Sequence, residues 1–176
     1  MPLQINVVID TDAAALADVA AITFPLACPP SVAAGDIEAF IAANLSSQRF
    51  GEYVADPDRL VLAAVDDGRI VGYAMLIRGV GTDPDIAGCV ESQPAAELSK
   101  MYVLPDWHRS GAAGELLDAG ISWAAAQDMR ALWLGVNQNN PRAQRFYRKH
   151  GFEVAGTRTF RVGATLENDF IMVRAI

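Results

Sequence analysis

The stretch Leu98–Leu117, LSKMYVLPDWHRSGAAGELL, constrains the fold more than any other part of the chain. An apolar strand pattern over Ala96–Leu104 is stopped by Pro105, and a loop containing Gly111 and Gly114 then runs directly into a helix. That helix is expected over Gly111–Asp128, with Leu117, Ile121 and Ala124 as its buried stripe. The start of a helix presents unpaired N–H groups and the positive end of its dipole. Small residues at Gly111, Ala112, Ala113 and Gly114 let a ligand approach that backbone closely, so the segment predicts a phosphate or pyrophosphate cradle.

The remaining elements fit around this unit. Gln4–Ile9 alternates as a first strand, and Asp10-Thr11-Asp12 offers a cap to a helix carrying Leu16, Val19, Ala20 and Ile22 at helical spacing. The three prolines in Phe24–Pro30 are expected to end that helix, and a second helix is expected from about Asp36 to Leu45. Leu60–Val65 and Ile70–Ile77 read as a hairpin around Asp66-Asp67-Gly68-Arg69. Arg78–Pro94, rich in glycine, proline and acidic residues, reads as a loop bordering a site or a disordered excursion. Ala131–Val136 is a strand, and Pro141–His150 is a helix opening on proline. Phe152–Val162 and Leu166–Arg174 close the chain as two strands. The order is strand, two helices, three strands, helix, strand, helix, two strands: a mixed α/β sheet without internal repeat.

Charge and composition then remove function classes. With 21 acidic against 14 basic residues the net charge is −7, which lacks the basic footprint of a nucleic-acid or anionic-membrane surface. That acidity is compatible with steering a cationic substrate and equally with solubility alone. A hydrophobic share of 52% and a charged share of 20% place the 176 residues with folded proteins, as one domain over 1–176. No apolar run approaches the roughly 20 residues of a membrane span, and Met1–Asp10 does not read as a signal peptide, so a cytoplasmic location is expected. Cys28 and Cys89, with only His108 and His150 besides, give neither a disulfide framework nor a metal pattern, and no metal is expected.

Several enzyme classes place phosphates on such a loop. A Walker-type loop needs Lys then Ser or Thr after its last glycine, whereas Glu115 and Leu116 follow Gly114. A dinucleotide fold wants an acidic residue at the end of the next strand, and Ala131–Val136 runs into Asn137. The loop resembles that of the GNAT N-acetyltransferase superfamily, which reads Arg or Gln, two residues, Gly, one residue, Gly or Ala, after a strand ending in the sense of Y-V-x-P. Here Tyr102-Val103-Leu104-Pro105 precedes His108-Arg109-Ser110-Gly111-Ala112-Ala113, with His108 departing from the family's Arg or Gln. A second segment, NQNNPRAQRFYRKHGF over Asn137–Phe152, is similar to the family's N-x-x-A-x-x-x-Y followed by Gly-Phe, matched at Asn140, Ala143, Tyr147, Gly151 and Phe152. Read from the residues alone, Ala143, Phe146 and Tyr147 share a helix face and Gly151 is placed to cap its end. On that reading Tyr147 is open between a site residue and a core aromatic, and Asn140 between a ligand contact and a helix cap.

The resemblance implies a mixed, mostly antiparallel sheet of six to seven strands flanked by about four helices and splayed between the fourth and fifth strands. It implies acetyl-CoA as co-substrate, with its pantetheine arm in the splay along the backbone of Met101, Tyr102 and Val103. The pyrophosphate would lie on His108, Arg109, Ser110, Gly111, Ala112, Ala113 and Gly114, with Asn140, Ala143 and Tyr147 also on the cofactor side. It further implies direct attack by a primary amine in a ternary complex, with Tyr147 as general acid to the departing thiolate. Glu97 is the candidate base; a carboxylate that merely binds a cationic amine is the other reading of it. Small homodimers are common in the family. The segments Thr23–Pro30 and Arg78–Pro94 are expected to flank the acceptor, with Asp83, Asp85 and Glu91 placed to attract a polycation. The tail Thr159–Met172 is similar to that of bacterial polyamine N-acetyltransferases, which makes a polyamine the expected acceptor. A peptide or protein N-terminus, an aminoglycoside, or a non-catalytic CoA-binding sensor are the alternatives.

Overall fold

A computed structural model describes residues 2–176. Its seven strands are β1 (Gln4–Val7), β2 (Arg59–Asp66), β3 (Arg69–Arg78), β4 (Ala95–Val103), β5 (Ala131–Asn137), β6 (Glu153–Val162) and β7 (Thr165–Ala175). They form one sheet in the order β1-β2-β3-β4-β5-β7-β6. Only β4 and β5 run parallel; every other pair of neighbours is antiparallel. The expected mixed α/β sheet is therefore present, with the parallel pair where the helix after Gly111 crosses from β4 to β5.

Six helices rather than about four accompany the sheet: α1 (Ala13–Ala27), α2 (Ala34–Asn44), α3 (Ser47–Ala55), α4 (Pro84–Cys89), α5 (Ala112–Ala126) and α6 (Pro141–Lys149). Two of them were not expected from the sequence. α3 opens on Ser46, whose hydroxyl accepts from the Arg49 N–H at 3.2 Å, and it buries Phe50 and Tyr53 one turn apart. α4 lies within the presumed loop, with Asp83 capping the Asp85 N–H and Pro84 in the first turn. A further correction concerns α1, which continues through Phe24 and Pro25 to Ala27. Pro25 removes one N–H from the helix's last turn, while burial of Leu16, Val19, Ala20 and Phe24 holds the segment on the sheet.

Packing follows from which face each strand residue occupies. Leu76, Leu98, Leu132 and Leu134 are buried in the main core with Leu116, Leu117 and Ala124 of α5. Gly120 lets α5 come close to β3: a Cβ there would lie 3.1 Å from Leu76 Cδ2. A second apolar cluster joins Ile86 and Val90, from α4 and its end, to Ala95, Ala131, Trp133 and Ile171. The hairpin between β2 and β3 turns on Asp67 (φ 49°) and Gly68 (φ 77°), both left-handed as a tight two-residue turn requires.

These contacts predict two measurable losses of stability. Leu116→Ala, at a fully buried site, is expected to cost about 2–5 kcal/mol in urea denaturation. Gly72→Ala would set its Cβ 2.9 Å from the Tyr102 carbonyl oxygen, a backbone atom, and is expected to lower stability by about 1–3 kcal/mol.

Candidate active site

The site begins where two strands part. β4 and β5 pair only over Ala95–Glu97 and Ala131–Trp133. Beyond that point β4 stays with β3 as far as Val103 opposite Gly72, and β5 stays with β7 as far as Asn137 opposite Asp169. The register of β4 also slips: Met75 faces Lys100 while Leu76 faces Leu98, which leaves Ser99 as an extra residue. From Leu98 to Val103, therefore, the edge of β4 toward β5 has no strand partner, and its backbone polar groups are available to a ligand. A cavity of about 220 Å³ occupies the gap, with Met101 and Tyr102 on one wall and Asn140, Ala143 and Tyr147 on another. The strand end that precedes the first motif's loop and the Asn140–Tyr147 segment thus meet across one space.

The start of α5 has the geometry of an anion cradle, although none of residues 108–114 lines the cavity in the gap. Gly111 is left-handed (φ 89°), which a side chain would strain, and nothing lies within 4 Å of where its Cβ would be. The Ala112 N–H is bonded to Ser110 Oγ at 3.2 Å, and that hydroxyl donates to the Trp107 carbonyl at 2.7 Å. The N–H groups of Gly111, Ala113 and Gly114 have no such partner among the described residues. Arg109 is exposed beside them. The His108 ring turns back instead, its Nε2 donating to the Val103 carbonyl at 2.8 Å, and so ties the loop to the end of β4. The open glycine, the free N–H groups and the unpaired strand edge fit a ligand with a phosphate head and an amide-bearing arm.

Tyr147 sits on α6 with its ring held edge-on by Phe146 (5.3 Å) and Phe152 (5.7 Å). Gly151, left-handed at φ 88°, ends α6, and the Phe152 N–H returns to the Tyr147 carbonyl at 3.0 Å. The Tyr147 hydroxyl makes no hydrogen bond within the described residues, and burial pushes its phenol well above the ordinary range. Burial likewise pushes Tyr102 up to about 12. Asn140 caps α6, its Oδ1 accepting from the Ala143 N–H at 3.1 Å, and it still borders the cavity.

Next to the gap, and sharing Ser99, Lys100 and Tyr102 with it, a second cavity of about 210 Å³ holds Glu97, Lys100 and Arg158. Burial raises the Glu97 carboxyl, with Arg158, Lys100 and Arg59 opposing; burial lowers the Lys100 ammonium, with Glu97 opposing. Its apolar wall is Phe24 of α1 stacked on Phe40 of α2 (4.6 Å, 8°), with Phe160 of β6 against Phe40 at 6.0 Å.

The sequence did not single out Lys100, Arg158 or Phe40 as site residues. Arg158 and Phe160 point to one side of β6 by simple alternation, but nothing local says that this side faces the gap. Of the segments expected to flank the acceptor, Phe24, Ala27, Cys28 and Pro29 border the first cavity. Arg78–Pro94 lines neither cavity. Ile86 and Val90 pack against Trp133, whose indole N–H donates to the Gly79 carbonyl at 3.0 Å. Asp83 caps α4, and neither it nor Asp85 nor Glu91 lines either cavity. Among the described residues no group of three or more His, Cys, Asp or Glu side chains gathers as a metal site, and no helix is long and apolar enough to cross a membrane.

Comparison with known proteins places this geometry. The model of the Acetyltransferase (GNAT) family matches residues 28–152. An uncharacterized N-acetyltransferase of Mycobacterium bovis is 56% identical over 166 residues, 94% of this chain and 99% of that protein. An uncharacterized N-acetyltransferase of Lactobacillus delbrueckii subsp. lactis is 24% identical over 142 residues, 80% of this chain and 79% of its own length. Among solved structures, the PaiA N-acetyltransferase from Thermoplasma acidophilum, in complex with coenzyme A, shares the fold at a TM-score of 0.80 and 22% identity, covering 100% of both chains.

The burial of the site gives a spectroscopic expectation. Tyr73, Tyr102 and Tyr147, three of the four tyrosines, should stay protonated when the folded protein is titrated by absorbance to about pH 11. All should ionise near the ordinary tyrosine value of about 10 on denaturation. Ionisation of all four near pH 10 in the folded protein would contradict the buried placement of Tyr147.

Proposed function

The chain belongs to the acetyltransferase (GNAT) family and is an N-acetyltransferase, and from that premise we propose that it moves the acetyl group of acetyl-CoA directly onto a small primary amine within one domain spanning residues 1–176. The observation that supports this reading is the parting of β4 from β5: it leaves an unpaired strand edge beside a cavity lined by Tyr147, with the cavity that holds Glu97 sharing Ser99, Lys100 and Tyr102 with it.

The slot suits the co-substrate on this chain's own geometry. The free N–H groups of Gly111, Ala113 and Gly114, with Arg109 beside them, would take the pyrophosphate. Ser110 supports the loop by bonding the Ala112 N–H, and His108 does so by bonding Val103. The unpaired edge through Met101, Tyr102 and Val103 would take the arm's amides, with the Val103 carbonyl already held by His108. Asn140 and Ala143 close the opposite wall; Asn140 has spent its oxygen on the cap and would offer its Nδ2.

Acetyl-CoA supplies an activated thioester carbonyl, where the new N–C bond forms as the C–S bond breaks. Glu97 takes the proton that the attacking amine must lose, and its raised pKa makes it a better base than an ordinary carboxylate. Tyr147 gives its proton to the departing sulfur; a phenol that burial keeps neutral holds that proton until negative charge appears beside it. Proton and leaving group are then accounted for, without a covalent intermediate on the enzyme. The Thr159–Met172 tail, part of which borders the acceptor cavity at Phe160, resembles that of polyamine N-acetyltransferases, so polyamines belong in the panel of acceptors to assay.

Tyr147→Phe is expected to lower kcat by about 10²–10⁴-fold while acetyl-CoA binding by calorimetry is unchanged. Turnover retained within a few-fold would remove Tyr147 as the acid. For Glu97, kcat/KM for the amine should fall as pH drops through the raised carboxyl pKa, because protonation removes the base. Glu97→Gln should lower kcat by a similar factor and leave only the acceptor's own ammonium titration in the profile. An unchanged profile would reduce Glu97 to a binding group.

A further inference from the structure

Charge pairing around the acceptor cavity is uneven, and the imbalance carries information about the substrate. Glu167 is fully engaged: Ser31 Oγ donates to its Oε1 at 3.1 Å and Asn137 Nδ2 to its Oε2 at 3.2 Å. Asp169 accepts from Arg158 Nε at 3.5 Å. The two terminal nitrogens of Arg158 have no hydrogen-bond partner among the described residues, and neither does the Lys100 ammonium or the Glu97 carboxylate. Glu97, Lys100 and Arg158 line the same cavity, so it offers one uncommitted anion and two uncommitted cations.

Arg158 is also held in place rather than left to wander. Its guanidinium lies across β5 over Gly135, where any Cβ would collide with it, and it stands 5.7 Å from the centre of the Trp133 ring. The Asp169 contact fixes the Nε end and leaves the planar fork facing the cavity. A fork held from behind by an aromatic ring and a carboxylate, with its two outer nitrogens free, has the geometry that binds a carboxylate in two-point fashion. Facing Phe24, Phe40 and Phe160, the same cavity also has an apolar side.

We propose that the acceptor is an amine that also carries a carboxylate and an apolar side chain, of the free α-amino acid class, with its amine toward Glu97 and its carboxylate on Arg158 and Lys100. This rests on the acetyl-transfer reading above and narrows its substrate. A polyamine carries no carboxylate to pair with Arg158 and Lys100, so the cavity's two cations would go unanswered. A zwitterion meets both signs at once. Lys100 and Arg158 then act as specificity-determining residues, and Gly135 is the position that gives the guanidinium its room.

The test uses the full chain, acetyl-CoA, and matched acceptors: L-leucine, L-methionine and L-phenylalanine, their carboxamides, and spermidine, with free thiol release as readout. At least one amino acid should exceed its own amide in kcat/KM by about tenfold to a hundredfold, the size of one charge-assisted contact. In Arg158→Gln and Lys100→Gln that advantage should shrink to within about threefold through the acceptor KM, with the KM for acetyl-CoA and the far-ultraviolet dichroism unchanged. Since Arg158→Gln also strips Asp169 of its partner, Lys100→Gln is the independent variant. Amides turned over as well as acids, or spermidine preferred to both, would overturn the proposal and leave acetyl transfer standing. Acetyl-CoA bound but no thiol released by any acceptor would sink the transfer reading, and this proposal with it.

Discussion

Everything at the site depends on β4 and β5 ceasing to pair after Glu97 and Trp133. A parallel pair deep in a sheet ordinarily satisfies its backbone groups along its whole length, so parting the strands leaves N–H and C=O groups that something else must satisfy. The extra residue at Ser99 accompanies that parting by disturbing the register of β4 against β3. The neighbours on either side, β3 and β7, keep both arms of the opening ordered, because each arm remains paired along its outer edge. The result is a rigid slot rather than a mobile loop, and a rigid slot costs little to organise when a ligand enters.

Two supports give the slot its chemistry. α5 is fastened along Leu116, Leu117, Gly120 and Ala124, which fixes its first turn, where the Ala113 and Gly114 N–H groups have no partner among the described residues. α6 is capped at both ends, by Asn140 and by Gly151, which fixes the rotation of the helix and with it the direction of Tyr147. Neither helix meets the ligand mainly through long flexible side chains. What the two helices present instead is backbone amides, a glycine and one braced tyrosine, groups that lose little entropy on binding.

The acceptor side is built differently. Phe24 and Phe40 come from the consecutive helices α1 and α2, and Phe160 from β6 near the other end of the chain. α2 buries no residue completely and is attached to this wall through the ring of Phe40. One ion pair, Arg158 with Asp169, stands there, Glu167 is held by Ser31 and Asn137, and Glu97 and Lys100 have no hydrogen-bond partner among the described residues.

Much of the cofactor half could be read from the sequence because its determinants are local. Gly111 must be left-handed where it stands, Pro105 and Pro141 mark a strand end and a helix start, and Gly151 closes a helix. Each acts within a turn or two of chain, so order and spacing suffice to place the cradle, Asn140 and Tyr147 on the right elements. α4 also had local signals, Asp83 and Pro84, masked by the glycine and acid content around it. The acceptor half is another matter. Whether Arg158 faces the gap depends on β7 entering between β5 and β6, on Gly135 leaving space, and on Trp133 lying beneath the guanidinium. Those are relations among strands distant in sequence. The chain by itself determined the fold class, the left-handed glycine before α5 and the helix that carries Tyr147, through short-range backbone constraints; only the tertiary structure decided which charges line the cavities, because that follows from strand order and packing.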